Sequence, residues 1–131
     1  MSIGRKIGTS EFWNDCREGE AMRRKPFMVL RVLGKTVHVF KVPPTHRGLK
    51  DSPKDKDPGL GRYQEGSLDI YIAQGQVLDQ EIDTLSHELF HGIDDLTDIG
   101  LTEEQVVKLT TGWLAALRDN PKLVEYLLRS R

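Results

Sequence analysis

The spacing of apolar residues changes once along this chain, near residue 79, and this change constrains the fold more than any other feature. Before it, "FMVLRVLGKTVHVFKV" (residues 27–42) is rich in β-branched residues and is broken by Gly34-Lys35, which predicts two strands joined by a tight turn. Both faces are largely apolar, so we expect these strands to be central or covered on both sides. "RYQEGSLDIYIA" (residues 62–73) predicts a second hairpin that turns at Gly66-Ser67 and ends in the strand Leu68–Ala73.

After residue 79 the apolar residues recur at helical spacing and predict a helix over residues 80–95, with Asp79 as its N-cap. A second helix begins at Thr102, because Thr102 and Gln105 can form a capping box. A last helix is predicted over Pro121–Leu128, since proline is well tolerated as a first helical residue. The stripe of the second helix that we expect to be buried comprises Val106, Leu109, Thr110, Trp113, Leu114 and Leu117. We therefore predict an α+β fold, with a small twisted sheet of about four strands packed by helices.

Length and composition indicate an ordinary globular protein. At 131 residues the chain is expected to form one domain and to bury a core without disulfides. The single cysteine, Cys16, cannot form an internal disulfide, which favours a reducing compartment. The start "MSIGRKIGTSEFWNDC" holds no apolar run of signal-peptide length, and no window approaches the roughly 18 apolar residues of a membrane helix. We expect a soluble, cytoplasmic protein with no membrane partner.

The charges are divided unevenly along the chain. Residues 1–62 carry 14 Lys and Arg against 7 Asp and Glu, whereas residues 63–131 carry 5 against 13. Such a division is typical of a basic arm that meets nucleic acid, and equally of two halves of one domain that attract each other. The only basic cluster is "RRK" at residues 23–25, with no aromatic residues interleaved. We therefore favour the second interpretation and expect no nucleic-acid partner.

The predicted helix over residues 80–95 contains "TLSHELFHGIDD". His87 and His91 are four residues apart and lie on one helical face, so both imidazoles can reach one ion. Glu88 lies one step round the helix, where it can accept a proton from a water activated by the metal. This division of roles is that of H-E-x-x-H hydrolases, which use zinc. The sequence therefore predicts a zinc site with His87 and His91 as ligands and Glu88 as general base.

A catalytic zinc keeps three protein ligands and one open position, so a third ligand is needed. No histidine follows His91, which leaves the carboxylates of Asp94, Asp95, Asp98, Glu103 and Glu104. Asp94 and Asp95 lie within about one turn of His91 and fit better as acceptors for an imidazole N–H. At about 100° per residue, Glu103 falls on the side of the apolar stripe and Glu104 points away from it. Helical phase therefore favours Glu103, with Glu104 as the alternative.

The run "SHELFHGIDD…LTEEQVVKLTTGWLAALRDNP" resembles small metallopeptidase-like proteins of bacteria, phages and prophages, which are similar to minimal gluzincins of the ImmA/IrrE type. The resemblance spans roughly Leu68 to Pro121 and implies a zincin-like domain over residues 27–131, after an N-terminal extension over residues 1–26. It implies Zn²⁺-dependent hydrolysis of peptide bonds in a protein or peptide substrate, with the third ligand on the following helix. It also implies that the strand Leu68–Ala73 is an edge strand that lines the substrate.

Peptide hydrolysis also needs a hydrogen-bond donor for the oxyanion. The candidates are His46, Tyr63 and Tyr71, and the alternative for each is a purely structural role. Residues 43–61 hold four prolines and predict a long loop, which could act as a lid or a specificity wall. The alternative function is a non-catalytic metal-binding adaptor on a zincin scaffold, associated with a phage or mobile element. A structural zinc would have four protein ligands and no open position.

Overall fold

The computed structural model describes residues 25–50 and 59–129. The elements follow in the order β1 (Met28–Val32), β2 (Lys35–Val42), β3 (Gly61–Gln64), β4 (Asp69–Ala73), α1 (Leu78–Thr97), α2 (Glu103–Asp119) and α3 (Pro121–Leu127). The strands precede the helices, and the predicted α+β class is confirmed. Almost all of the extension predicted over residues 1–26 lies outside the described residues, as does the centre of the loop 43–61. No helix in the described ranges is long and apolar enough to cross a membrane.

The four strands form one mixed sheet in the order β1-β2-β4-β3, in which β2 and β4 are parallel and the outer pairs antiparallel. Both predicted hairpins are present. The first turns at Leu33 and Gly34, whose φ angles of 51° and 81° suit the primed turns that match strand twist. β1 is an edge strand with mostly exposed side chains, so the expectation that both strands of this hairpin are covered on both sides is wrong for β1.

The prediction that the strand before the metal helix is an edge strand is also wrong. β4 lies between β2 and β3, and the edge beside α1 is formed by β3. Burial explains the order, because Ile70 and Ile72 of β4 are fully buried, whereas Tyr63 is the one buried side chain of β3. A strand of four residues with polar neighbours is well suited to a sheet edge.

The core lies on both faces of the sheet. The face toward α1 buries Val37, Val39, Tyr63, Ile70 and Ile72, with Leu85 and Leu89 of α1 packed against them. The other face buries Val42, Leu49 and Ala73, with Phe40 and Tyr71 partly covered. Leu49 belongs to a short 3-10 turn, Arg47–Leu49, which covers this second face. Successive side chains of each strand point to opposite faces of the sheet. The core therefore has one layer that faces α1 and a second layer that faces the loop.

The helix boundaries follow local sequence chemistry. α1 begins at Leu78, and its N-cap is Val77 rather than the predicted Asp79, which lies in the first turn, where a carboxylate complements the helix dipole. The predicted capping box of α2 is confirmed: the Thr102 hydroxyl accepts from the Gln105 N–H at 3.1 Å, and the Gln105 side-chain oxygen accepts from the Thr102 N–H at 2.9 Å. This cap fixes where α2 starts, and so where Glu103 lies.

The buried stripe of α2 is narrower than predicted. Val106, Thr110 and Leu114 are buried, but Leu109 and Trp113 are each 46% exposed. The reason is that α2 packs mainly against α1 and α3 rather than across the sheet, so only one narrow face meets a partner. The prediction that Leu109 and Trp113 are buried is therefore wrong.

Candidate metal centre

Three side chains that the sequence analysis selected converge at the junction of α1 and α2. His87 and His91 are one turn apart on α1, and their Nε2 atoms are 3.1 Å apart. Glu103, the first residue of α2, places one carboxylate oxygen 2.8 Å from His87 Nε2 and the other 2.9 Å from His91 Nε2. The structure therefore brings together two imidazole nitrogens and one carboxylate at a single point.

This donor set fits a zinc ion. Two histidines and a carboxylate are one of the ligand sets of catalytic zinc, and tetrahedral bonds of about 2.0–2.2 Å place ligand atoms roughly 3.3 Å apart. The observed separations of 2.8–3.1 Å are slightly shorter than that. The two imidazole rings meet edge to face, at 74° between planes, and their Nε2 atoms lie 3.1 Å apart.

The site is open on the carboxylate side. The side chains of His87 and His91 are 21% and 29% exposed, whereas that of Glu103 is 67% exposed. The three residues line a cleft of about 750 Å³ that is bounded on the opposite side by β3. In the described part of the chain three residues that could bind a metal ion converge here, which is the number of protein ligands typical of a catalytic zinc with an open position.

Burial also adjusts the protonation of the cluster. It lowers the pKa of the His87 imidazole, although the neighbouring Glu103 carboxylate acts in the opposite direction. A lowered pKa keeps the ring neutral at pH 7, and the neutral ring is the form that binds a metal.

The other carboxylates considered as ligands have different partners. Asp94 accepts from the backbone N–H groups of Gly100 and Leu101 at 2.8 and 3.1 Å, and Asp98 is the left-handed C-cap of α1. These contacts fold the connection that brings α2 back to the histidines. Glu104 instead forms an exposed ion pair with Lys108 at 3.1 Å, within its own helix.

Glu88 lies beside the cluster in the same cleft and is 8% exposed. Its Oε1 atom accepts a hydrogen bond of 2.8 Å from the backbone N–H of Tyr63. Tyr63 does not pair this N–H with β4. The N–H points away from β4, toward α1, where it donates to Glu88. The edge strand therefore fixes the position of the Glu88 carboxylate next to His87.

Tyr63 joins β3 to α1 at a second point. Its hydroxyl donates to Asp95 Oδ2 at 2.8 Å, and its ring lies over Gly92, where a Cβ atom would come within 3.1 Å of it. Burial, followed by the bond to Asp95, raises the pKa of the Tyr63 phenol well above its ordinary value. Asp95 thus accepts from a phenol, and the prediction that Asp94 and Asp95 accept from an imidazole is not what their hydrogen bonds show.

The three candidates for oxyanion donor have other positions. The Tyr63 hydroxyl is bonded to Asp95. His46 and Tyr71 stack on each other, with ring centroids 5.5 Å apart, and Tyr71 packs in the core of the loop-facing side of the sheet. Among the contacts between described residues, none joins these candidates to His87, His91 or Glu103.

Two glycines that the sequence analysis did not select allow β3 and α1 to approach. A Cβ atom on Gly61 would lie 2.5 Å from Thr84 Cγ2 and 3.3 Å from Glu88 Cγ. Gly92 makes room for the Tyr63 ring in the same way. A glycine at the start of a strand is a known signal of close backbone approach, so Gly61 could have been found from its position.

Comparison with known proteins finds no relative: no protein-family model matches the chain, and no curated protein or solved structure matches it. What the chain does is therefore inferred from the residues of the site.

Proposed function

We propose that this chain is a zinc-dependent metallopeptidase, in which His87, His91 and Glu103 hold the metal and Glu88 is the general base. The observation that carries the proposal is the convergence of two Nε2 atoms and one carboxylate within 2.8–3.1 Å, beside a buried glutamate in an open cleft. When bound, zinc would supply the Lewis acidity that polarises a carbonyl and makes water a nucleophile near neutral pH.

The position of Glu88 supports this role, because Glu88 lines the same cleft as His87, His91 and Glu103. One carboxylate oxygen is held by the Tyr63 N–H, so the group is oriented before substrate arrives. The carboxylate accepts the proton of the attacking water and then delivers it to the departing amine nitrogen. General acid–base assistance of this kind contributes about 10²–10⁴-fold in rate.

The edge strand supports a peptide as the substrate. β3 runs along the cleft, and an extended peptide can pair with the outward backbone groups of this edge other than the Tyr63 N–H, which binds Glu88. The order of strand, HExxH helix, acidic connection and carboxylate-bearing helix is similar to that of zincins, which also supports the proposal. The single cysteine supports a cytoplasmic location.

Glu88→Gln tests the proposal, because glutamine can still accept from the Tyr63 N–H but is not a base. The variant should keep one zinc per chain and lose at least about 100-fold in cleavage of a proteome-derived peptide library, scored by mass spectrometry for new termini. Glu104→Gln is the matched control, since this carboxylate is exposed and, among the described residues, is paired with Lys108. If Glu88→Gln cleaved the library as well as the wild type does, the assignment of Glu88 as general base would be wrong.

The competing function, a non-catalytic metal-binding adaptor, is favoured by one observation. Exposed apolar side chains are grouped on the two C-terminal helices: Val107, Leu109, Trp113, Tyr126, Leu127 and Leu128. Exposed apolar patches mark sites of protein association. A zinc-loaded wild type that cuts nothing in the library, together with an unchanged phenotype of Glu88→Gln, would establish the adaptor instead.

A further inference from the structure

A second cavity, of about 320 Å³, lies between α1, α2 and the start of β3. It adjoins the cleft that His87, His91 and Glu103 line. Gly61, His87 and Glu88 line both spaces. Its remaining walls combine the apolar side chains of Leu60 and Val107 with polar ones, which are Gln80, Asp83, Thr84, Thr110 and Thr111. A group bound in this cavity would therefore lie next to the proposed base and the first metal ligand.

Thr110 is the unusual member of this wall. It is 5% exposed, and its Oγ1 atom has no hydrogen-bond partner among the described residues. Folded proteins seldom leave a buried hydroxyl unpaired, because the group has lost its water without gaining a bond. Thr84 provides the contrast within the same cavity, since its hydroxyl donates to Gln76 Oε1 at 2.8 Å.

The Thr110 hydroxyl can reach the cavity through a change of rotamer. Thr110 lines the cavity while its oxygen is shielded, so its carbon atoms form the wall. Threonine in a helix divides between two χ1 rotamers, and a turn of about 120° about the Cα–Cβ bond can bring the hydroxyl to the position that the methyl group held, while the methyl group takes that of the Cβ hydrogen. A ligand that offers a hydrogen bond would favour the rotamer in which the hydroxyl is exposed.

We infer that this cavity binds a substrate side chain beside the scissile bond, and that Thr110 selects an uncharged polar side chain, a carboxamide or a hydroxyl. This inference rests on the hydrolysis proposed above. Hydroxyls and the Gln80 carboxamide both donate and accept, so such a side chain finds partners. A carboxylate would meet the negative charge of Glu88, whereas Asp83 is paired with Arg118 at 3.8 Å, and an aliphatic side chain would leave Thr110 unpaired.

The first test is independent of catalysis and compares the melting temperatures of Thr110→Val and Thr84→Val. The two changes are the same and lie in the same cavity. Thr110→Val should melt at or above the temperature of the wild type, because it removes an unpaired hydroxyl, and Thr84→Val should melt lower, because it breaks the bond to Gln76. If Thr110→Val melts as far below the wild type as Thr84→Val does, its hydroxyl is bonded within the fold and the inference is overturned.

The second test sequences the cuts that the zinc-loaded, full-length chain makes in a proteome-derived peptide library. Wild type should enrich Asn, Gln, Ser and Thr at one position beside the cut, and Thr110→Val should lose that enrichment by about 10-fold or more while still cutting. Cuts with no such preference would overturn the inference and leave the proposed hydrolase intact. No cuts at all by a zinc-loaded chain would overturn the proposed function, and the substrate pocket with it.

Discussion

Tyr63 holds two carboxylates of α1 with two different donors. Its backbone N–H binds Glu88 and its hydroxyl binds Asp95, each at 2.8 Å. Glu88 and Asp95 are two helical turns apart on one face of α1, so the pair of bonds fixes the rotation of the helix about its axis. Because His87 and His91 project from the same helix, this rotation also aims their imidazoles at Glu103.

Removal of the phenol oxygen should therefore cost stability. Tyr63→Phe keeps the ring over Gly92 but leaves Asp95 without its donor, and the expected loss is about 1–2 kcal/mol in the free energy of unfolding. Urea denaturation of the two proteins measures the difference. Tyr126→Phe is the control, because Tyr126 is 67% exposed and should show no change. Equal effects of the two substitutions would mean that the bond to Asp95 contributes nothing to the fold.

The sequence was sufficient to predict that His87, His91 and Glu103 converge, and insufficient to predict the contacts that hold them in place. The capping box at Thr102 fixes the start of α2, and the helical period then separates Glu103 from Glu104, so the convergence of Glu103 with the histidines was predictable. The bonds of Tyr63 join a strand to a helix 25 and 32 residues away, and no local pattern encodes such distant pairs.

At the scale of secondary structure, the contact between β3 and α1 determines where the Glu88 carboxylate and the cleft lie. The contact is close because Gly61 has no side chain where it crosses Thr84 and Glu88. The β3 edge thus supplies the N–H that holds Glu88 and one wall of the cleft.

Gly61→Ala should separate these two elements. The added Cβ would lie 2.5 Å from Thr84 Cγ2 and 3.2 Å from the Tyr71 carbonyl oxygen, so the strand or the helix must move, at a cost of about 1–3 kcal/mol. The urea midpoint should fall, and cleavage should fall with it. Gly66→Ala is the matched control, because a Cβ there meets nothing within 4 Å. An unchanged midpoint in Gly61→Ala would refute the close approach as described.

At the scale of helices and strands, sequence patterns predict local features but not the packing of elements that are distant in the chain. The hairpins, the capped helix and the proline-led helix were predictable, because each depends on residues near one another in the chain. The parallel pairing of β2 with β4 was not, and it is what places β4 inside the sheet and β3 at the edge. The exposure of Leu109 and Trp113 could not be predicted either, since it depends on which element α2 packs against.

At the scale of the whole molecule, the group of His87, His91 and Glu103 spans the junction between α1 and α2. α2 packs mainly on α1 and α3, so an ion held by these three residues would link the C-terminal helices to the helix that packs on the sheet. An ion that binds only the folded state stabilises it by mass action, and zinc would therefore couple the geometry of the site to the stability of the chain. Between the described residues of the two halves, Lys41 of the basic half and Glu81 of the acidic half form an ion pair of the expected kind at 3.1 Å.

The most direct measurement is the zinc affinity of the purified full-length chain and of two neighbouring variants, Glu103→Gln and Glu104→Gln, by titration at neutral pH. Wild type and Glu104→Gln should each bind one zinc per chain with the same affinity, because Glu104 is paired with Lys108 away from the histidines. Glu103→Gln should bind at least about 100-fold more weakly, more than the loss of a merely supporting residue usually costs. No zinc uptake by the wild type, or equal affinities of the two variants, would contradict the assignment of His87, His91 and Glu103 as a metal site.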